Sequence, residues 1–161
     1  MKILKSLVVA GIMTVVFAMP VMAQEVTDPN TVIKEEVLVN ELAAHHAAVE
    51  KQLDYFKSTQ VIPAVCDAHV ATVRTQLKNY ERDRADNYLK YLDYVIYNLN
   101  ETVRIKKEIV TNYTWLSQYN PQFATMIPAA QADVDKAELW VTVYKNYKSA
   151  VAQDFDVRYP R

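Results

Sequence analysis

The side chains best suited to metal or nucleophile chemistry lie in the first half of the chain. They are His45, His46, Cys66 and His69. Cys66 and His69 are three residues apart, which makes them neighbours on a helix, but a zinc or copper site needs further ligands that converge on them. If the first two helices form an antiparallel hairpin that closes around residues 59–62, His46 lies about seven residues, on the order of 10 Å, from His69. The spacing therefore favours a buried thiol and histidines bonded to their neighbours, and we expect no metal site.

Other reactive patterns are missing from the sequence. Covalent haem requires Cys-x-x-Cys-His, and a di-iron bundle requires Glu-x-x-His; the sequence contains neither. Met126 is the only methionine after residue 23, and it lies at a predicted corner, which disfavours haem held by histidine and methionine. The serines after residue 23 are Ser58, Ser117 and Ser149, none within Gly-x-Ser-x-Gly. We expect no catalytic residue, no cofactor and a protein that is not an enzyme.

Glycine is almost absent, and this determines the fold class. The chain contains one glycine, Gly11, whereas average usage is about 7%. Glycine is the usual residue at helix C-caps and in tight hairpin loops. A chain without it is expected to be all-α, with long helices joined at proline and Asn or Asp corners such as Asp28-Pro29 and Asn120-Pro121.

The first 23 residues have the pattern of a secretory signal peptide. Lys2 and Lys5 precede an apolar run from Leu7 to Phe17, and Val21-Met22-Ala23 fits a cleavage site. The segment is interrupted by Pro20 and is shorter than the ~20 apolar residues of a membrane span. We expect cleavage after Ala23, no membrane span afterwards, and export to the periplasm or the medium.

The remaining 138 residues are the size of one domain, residues 24–161. They carry 16 basic and 19 acidic side chains, a net charge of −3, which gives no reason to expect a nucleic acid or an anionic membrane as partner. The basic cluster of Arg104, Lys106 and Lys107 is interpreted as a solvated helix face. Cys66 is the only cysteine, so no internal disulfide can form, although Cys66 could join two copies if its thiol were accessible.

Apolar periodicity predicts three long helices, at about 30–58, 63–118 and 128–154. The first carries a coiled-coil seam, and the second carries a matching stripe that is wide enough to touch two neighbours. The seam of the first helix consists of Glu35, Val39, Leu42, His46, Val49, Leu53 and Phe56. The stripe of the second consists of Val70, Val73, Leu77, Tyr80, Tyr88, Leu92, Val95, Leu99, Val103, Val110 and Tyr113.

Two architectures are compatible with the middle segment. A four-residue insertion in the stripe near residues 82–87 is either a stutter within one continuous or kinked helix or a solvated corner between two helices. The first alternative gives an elongated three-helix bundle, and the second gives an up-down four-helix bundle. Because a tight corner would normally contain glycine, we favour the continuous helix.

Two further features concern the last helix and the surface. The last helix is expected to bury one face, and residues 154–161 are expected to form a short tail. The residues of that face are Leu139, Trp140, Val143, Tyr144, Tyr147 and Val151. Tyrosines recur every three residues from Tyr88 to Tyr97, which turns Tyr94 and Tyr97 toward the outside, and Trp115 falls on the same side as Tyr97.

The exposed aromatic side chains indicate how the protein acts. Tyr94, Tyr97 and Trp115 are amphipathic residues of the kind that dominate contact surfaces. We therefore expect an exported helical interaction or structural module whose partner is another protein or a second copy. The alternative is a helical carrier that holds a small apolar ligand in an internal cavity.

Overall fold

The computed structural model describes residues 32–59 and 62–161. Within these ranges the chain forms three α-helices and one 3₁₀ helix, with no β-strand, so the prediction of an all-α elongated bundle is confirmed. The expected signal peptide and the Asp28-Pro29 corner lie outside the described residues.

Helix α2 is the axis of the molecule and runs from Pro63 to Leu116. Pro63 occupies the first helical turn, where its missing N–H costs nothing. At 1.5 Å per residue, the 54 residues span about 80 Å. Residues 82–87 are helical and lie inside α2.

The buried positions of α2 contain a stutter, which runs from Leu77 to Ala85 rather than lying within residues 82–87, where the sequence suggested it. They are Cys66, Val70, Leu77, Glu81, Ala85, Tyr88, Leu92, Val95 and Leu99. Leu77, Glu81 and Ala85 follow one another at spacings of four, whereas spacings of three and four alternate from Ala85 to Leu99. This pattern locally changes the supercoil, and it places a glutamate at a core position.

Helix α1 runs from Glu35 to Thr59, so residues 32–34, which the sequence suggested were already helical, precede it. It packs antiparallel on the first half of α2. Leu53 clusters with Cys66 and Val70 at one end, whereas the start of α1 lies beside Tyr88. The buried residues of α1 are Leu38, Leu42 and Leu53.

Helix α3 runs from Ile127 to Arg158 and packs antiparallel on the second half of α2. Lys106 pairs with Asp133 at one end of this contact, and Arg82 pairs with Asp156 at the other. The turn between the helices contains a 3₁₀ helix from Pro121 to Met126, capped by the Asn120 side chain, which accepts a hydrogen bond from the Gln122 N–H.

The buried face of α3 differs from the predicted face. It consists of Val134, Ala137, Val141, Tyr144, Val151 and Phe155. Tyr144 and Val151 were predicted correctly, but Leu139 and Val143 are exposed. The expectation of a tail from residue 154 was also wrong, because α3 continues to Arg158 and the Phe155 side chain is fully buried.

All three helices meet only around the middle of α2. There the start of α1 and the end of α3 share one core with Leu92 and Val95. Tyrosine hydroxyls fix the start of α1 at this point. Tyr88 donates a hydrogen bond to the Ile33 carbonyl at 2.5 Å, and Tyr147 accepts one from the Glu35 N–H at 2.9 Å. Beyond this centre, α2 has one helical neighbour at each end.

Candidate functional site

The three aromatic residues predicted to form an outer surface are exposed. Tyr97 has 61% of its surface accessible to solvent and Trp115 has 56%, and Tyr94 is also exposed. Tyr97 and Trp115 are 18 residues apart, about five turns of α2, so they point in the same direction. We call these three residues the outer aromatic surface.

The part of α2 that carries this surface is thinly packed. No residue from 100 to 133 is buried, although the segment includes many large apolar side chains. Ile105 and Ile109 are both exposed. The cause is geometric, because α1 does not extend this far, so α2 and α3 lack here the third helix that covers the core at the centre of the bundle. This half of the bundle therefore has an uncovered apolar side.

The turn at the end of this hairpin is aromatic and well ordered by local contacts. The ring centroids of Trp115 and Tyr119 are 5.0 Å apart, and those of Tyr113 and Phe123 are 6.0 Å apart in a stacked arrangement. Backbone hydrogen bonds from the Ser117 N–H to the Tyr113 carbonyl and from the Asn120 N–H to the Leu116 carbonyl close the turn. The exposed aromatic rings are thus held on a fixed frame.

The candidate metal ligands do not converge. Each histidine has its own neighbour: His45 contacts the Tyr80 ring, His46 contacts Glu81, and His69 contacts the Phe56 ring. Among residues 32–59 and 62–161, no group of three His, Cys, Asp or Glu side chains is arranged to hold a metal ion.

Cys66 lies in the small core between α1 and α2. It is a free thiol packed with Leu53 and Val70 and is buried. A thiol in this position cannot reach a second chain unless α1 and α2 separate. The native structure therefore gives no support for an intermolecular disulfide at this residue.

Glu81 was not anticipated as a core residue. Only 7% of its surface is accessible, and His46 Nδ1 lies 2.8 Å from its Oε1 atom. A buried carboxyl group needs a hydrogen-bond partner, and His46 supplies one from the facing helix. A signal for this contact was present in the sequence, since His46 lies on the predicted seam and Glu81 lies in the stutter.

A second carboxyl group, that of Glu35, lies near Asp154 where α1 and α3 come together. The Glu35 pKa is raised, first by desolvation and then by the neighbouring Asp154 carboxyl group. Arg158, which hydrogen-bonds to Asp154, lowers the Asp154 pKa. Because Arg158 balances the charge, the arrangement works as a link between the two helices.

Two clefts accompany these contacts. One, of about 460 Å³, lies beside Arg82 and Arg161, and the other, of about 560 Å³, lies between α1 and α3 beside Glu35 and Tyr147. Both are open to solvent. Neither provides the enclosed apolar volume that a carrier requires.

No helix in the described ranges is both long and apolar enough to cross a membrane. No family model matches the sequence, and no curated protein or solved structure shows significant similarity to the chain. The class of protein that the fold defines is an elongated all-α bundle.

Proposed function

We propose that the protein is an exported helical interaction module that binds another protein through the outer aromatic surface and performs no chemical step. One observation supports this proposal above the others. The half of α2 that is furthest from α1 exposes Tyr94, Tyr97 and Trp115 together with Ile105 and Ile109, while no residue from 100 to 133 is buried.

The energetics favour a contact role for these side chains. Large exposed apolar side chains gathered on one side of a protein mark binding sites. Tyrosine and tryptophan add a polar atom to a large apolar surface, and they are enriched among residues whose truncation weakens binding. A partner helix laid along this side would supply the third neighbour that α1 supplies at the bundle centre.

A pull-down from the native cell envelope or culture medium tests the proposal. The bait is the Tyr94→Ala/Tyr97→Ala variant, compared with the native chain. Trp115 is left intact because its ring also contacts Tyr119 within the turn. We expect the variant to lose partners that the native chain retains.

Tyr55→Ala is the matched control. Tyr55 is an exposed tyrosine as well, but it lies on α1, away from the outer aromatic surface. The control should recover the same partners as the native chain. Recovery of identical partners by all three baits would refute the role of Tyr94 and Tyr97.

A further inference from the structure

The tip of the α2–α3 hairpin is free of charge. Residues 109–132 include no Asp, Glu, Lys, Arg or His, although 23% of the whole chain is charged. At the charged fraction of the whole chain, a segment of 24 residues would contain between five and six charged residues. We call residues 109–132 the neutral tip; it consists of the last two turns of α2, the turn at residues 117–120, the 3₁₀ helix and the first turns of α3.

The neutral tip exposes its aromatic and apolar side chains. Tyr119 has 72% of its surface accessible, and Trp115 and Met126 are exposed as well. These residues lie on the convex end of a hairpin. Since the tip projects from the bundle, its shape favours insertion into a deformable surface such as a lipid layer over the enclosure of a ligand.

From these observations we propose that the neutral tip inserts into the headgroup region of a lipid bilayer, with Trp115 and Tyr119 as its anchors. Tryptophan and tyrosine are enriched at membrane–water interfaces, where the ring is apolar and the N–H or O–H remains hydrated. Charged side chains are costly in that layer, and the tip contains none. A protein contact would more often include Arg or a charged rim.

The dimensions of the tip agree with shallow insertion. The nearest charged residues on the two helices are Glu108 and Asp133. Trp115 is seven residues beyond Glu108, about 10 Å along the helix. Interfacial segments bury their apolar side to a depth of about 5–10 Å, so Trp115 can be inserted while Glu108 stays in water.

The basic residues above the tip do not call for an anionic membrane. Arg104 pairs with Glu108, Lys106 with Asp133 and Lys107 with Glu138. These three positive charges are therefore already matched within the protein, and Lys136 is the one other basic residue within five residues of the neutral tip. We expect binding to zwitterionic phosphatidylcholine, with a change of less than about twofold when salt is raised, because salt screens charge–charge contacts and the neutral tip brings no charged side chain to the headgroups.

This inference adds a second contact to the proposed function. The two contacts share Trp115, but Tyr94 and Tyr97 lie outside the neutral tip. Failure of the lipid contact would leave the pull-down result with Tyr94→Ala/Tyr97→Ala unaffected, and failure of that pull-down would leave the lipid contact intact.

Fluorescence quenching by phosphatidylcholine vesicles with brominated acyl chains tests the inference. The full chain with Trp140→Phe retains Trp115 as its single tryptophan, so the signal reports the tip whatever residues 1–31 do. The control chain carries Tyr55→Trp with Trp115→Phe and Trp140→Phe, which moves the probe to an exposed position on α1. We expect strong quenching at Trp115, a blue shift of its emission, and little quenching at position 55.

Two variants complete the test. Tyr119→Asp places a charge in the tip at an exposed position and should weaken vesicle affinity about tenfold, measured as the lipid concentration that gives half-maximal quenching of Trp115. In the otherwise native chain, Trp115→Phe should abolish the quenchable signal, which covers the case in which Trp140→Phe disturbs the fold. The inference would be overturned if Trp115 were not quenched by the brominated lipid. It would also be overturned if the tryptophan at position 55 were quenched equally.

Discussion

His46 Nδ1 lies 2.8 Å from Glu81 Oε1, and this contact joins α1 to the only charged side chain that is buried among the described residues. The contact lies halfway along α1. Glu81 lies within the stutter of α2, which turns this position toward the core. In a regular heptad such a core position would be occupied by an apolar residue.

Removal of the histidine should expose the cost of the buried carboxyl group. We expect His46→Ala to lower the free energy of unfolding by about 1–3 kcal/mol, because Glu81 loses its partner inside the bundle. Chemical denaturation measures the change. In a Glu81→Leu background the same His46→Ala change should cost less than about 1 kcal/mol, and equal costs in both backgrounds would contradict the coupling.

The Tyr88 hydroxyl should be important for the position of α1. Burial raises the Tyr88 pKa, so the hydroxyl stays protonated and donates to the Ile33 carbonyl. We expect Tyr88→Phe to lower the free energy of unfolding by about 1–2 kcal/mol and to speed amide exchange in the first turns of α1. Tyr55→Phe, on an exposed ring, is the control; an unchanged exchange rate in Tyr88→Phe would show that this hydrogen bond does not hold α1.

Phe155 should act as a core residue despite its place near the end of the chain. It is fully buried against Tyr88, with ring centroids 6.0 Å apart. Phe155→Ala is expected to lower the free energy of unfolding by about 3–5 kcal/mol. Val157, two residues on and exposed, provides the comparison, since Val157→Ala should change stability by less than about 0.5 kcal/mol; a similar small effect at Phe155 would mean that the end of α3 is not packed.

The link between Glu35 and Asp154 predicts a pH dependence. The Glu35 pKa is raised above its ordinary value of 4.5, so the folded state holds this proton more tightly than the unfolded state. The contribution to stability is present below that value and is lost as pH rises through the raised pKa. Asp154, whose pKa is lowered, contributes in the opposite sense at more acidic pH.

Glu35→Gln should remove the Glu35 part of this profile. We expect the native chain to lose stability relative to Glu35→Gln between the ordinary value of 4.5 and neutral pH. The effect is small because both carboxyl groups are partly exposed. Thermal denaturation across this range measures it, with Glu36→Gln as the neighbouring control, and parallel profiles for the native chain and Glu35→Gln would contradict the assignment.

The sequence predicted the seam of α2 well because its apolar residues are large and regularly spaced. The buried face of the last helix was predicted correctly at four of its six positions, because Trp140 and Tyr147 also pack against the core, and wrongly at the other two. Its core face includes a small residue, Ala137, and the partly buried Lys148, which pairs with Asp93 at 2.5 Å. The larger side chains of Leu139 and Val143 on the other face gave a stronger apolar pattern. The size and hydropathy of Leu139 and Val143 led to their wrong assignment to the buried face, because burial depends on which side of α3 faces α2 and not on side-chain type alone.

The tyrosine contacts at the start of α1 could not have been predicted from local pattern. Tyr88 and Tyr147 bond to backbone atoms of Ile33 and Glu35, which are 55 and 112 residues away in the sequence. Only the meeting of all three helices brings these atoms together. The exposure of Tyr94, Tyr97 and Trp115, in contrast, follows from the helical period and from the end of α1, so the sequence sufficed to find them.

Site-specific photocrosslinking can detect directly whether the outer aromatic surface contacts another protein. A photoreactive residue is placed at Tyr97 in one chain and at Tyr55 in another, and each chain is irradiated in its native host. We expect a discrete crosslinked protein adduct from position 97 and none from position 55. No adduct at position 97, or the same adducts from both positions, would contradict a protein contact through the outer aromatic surface.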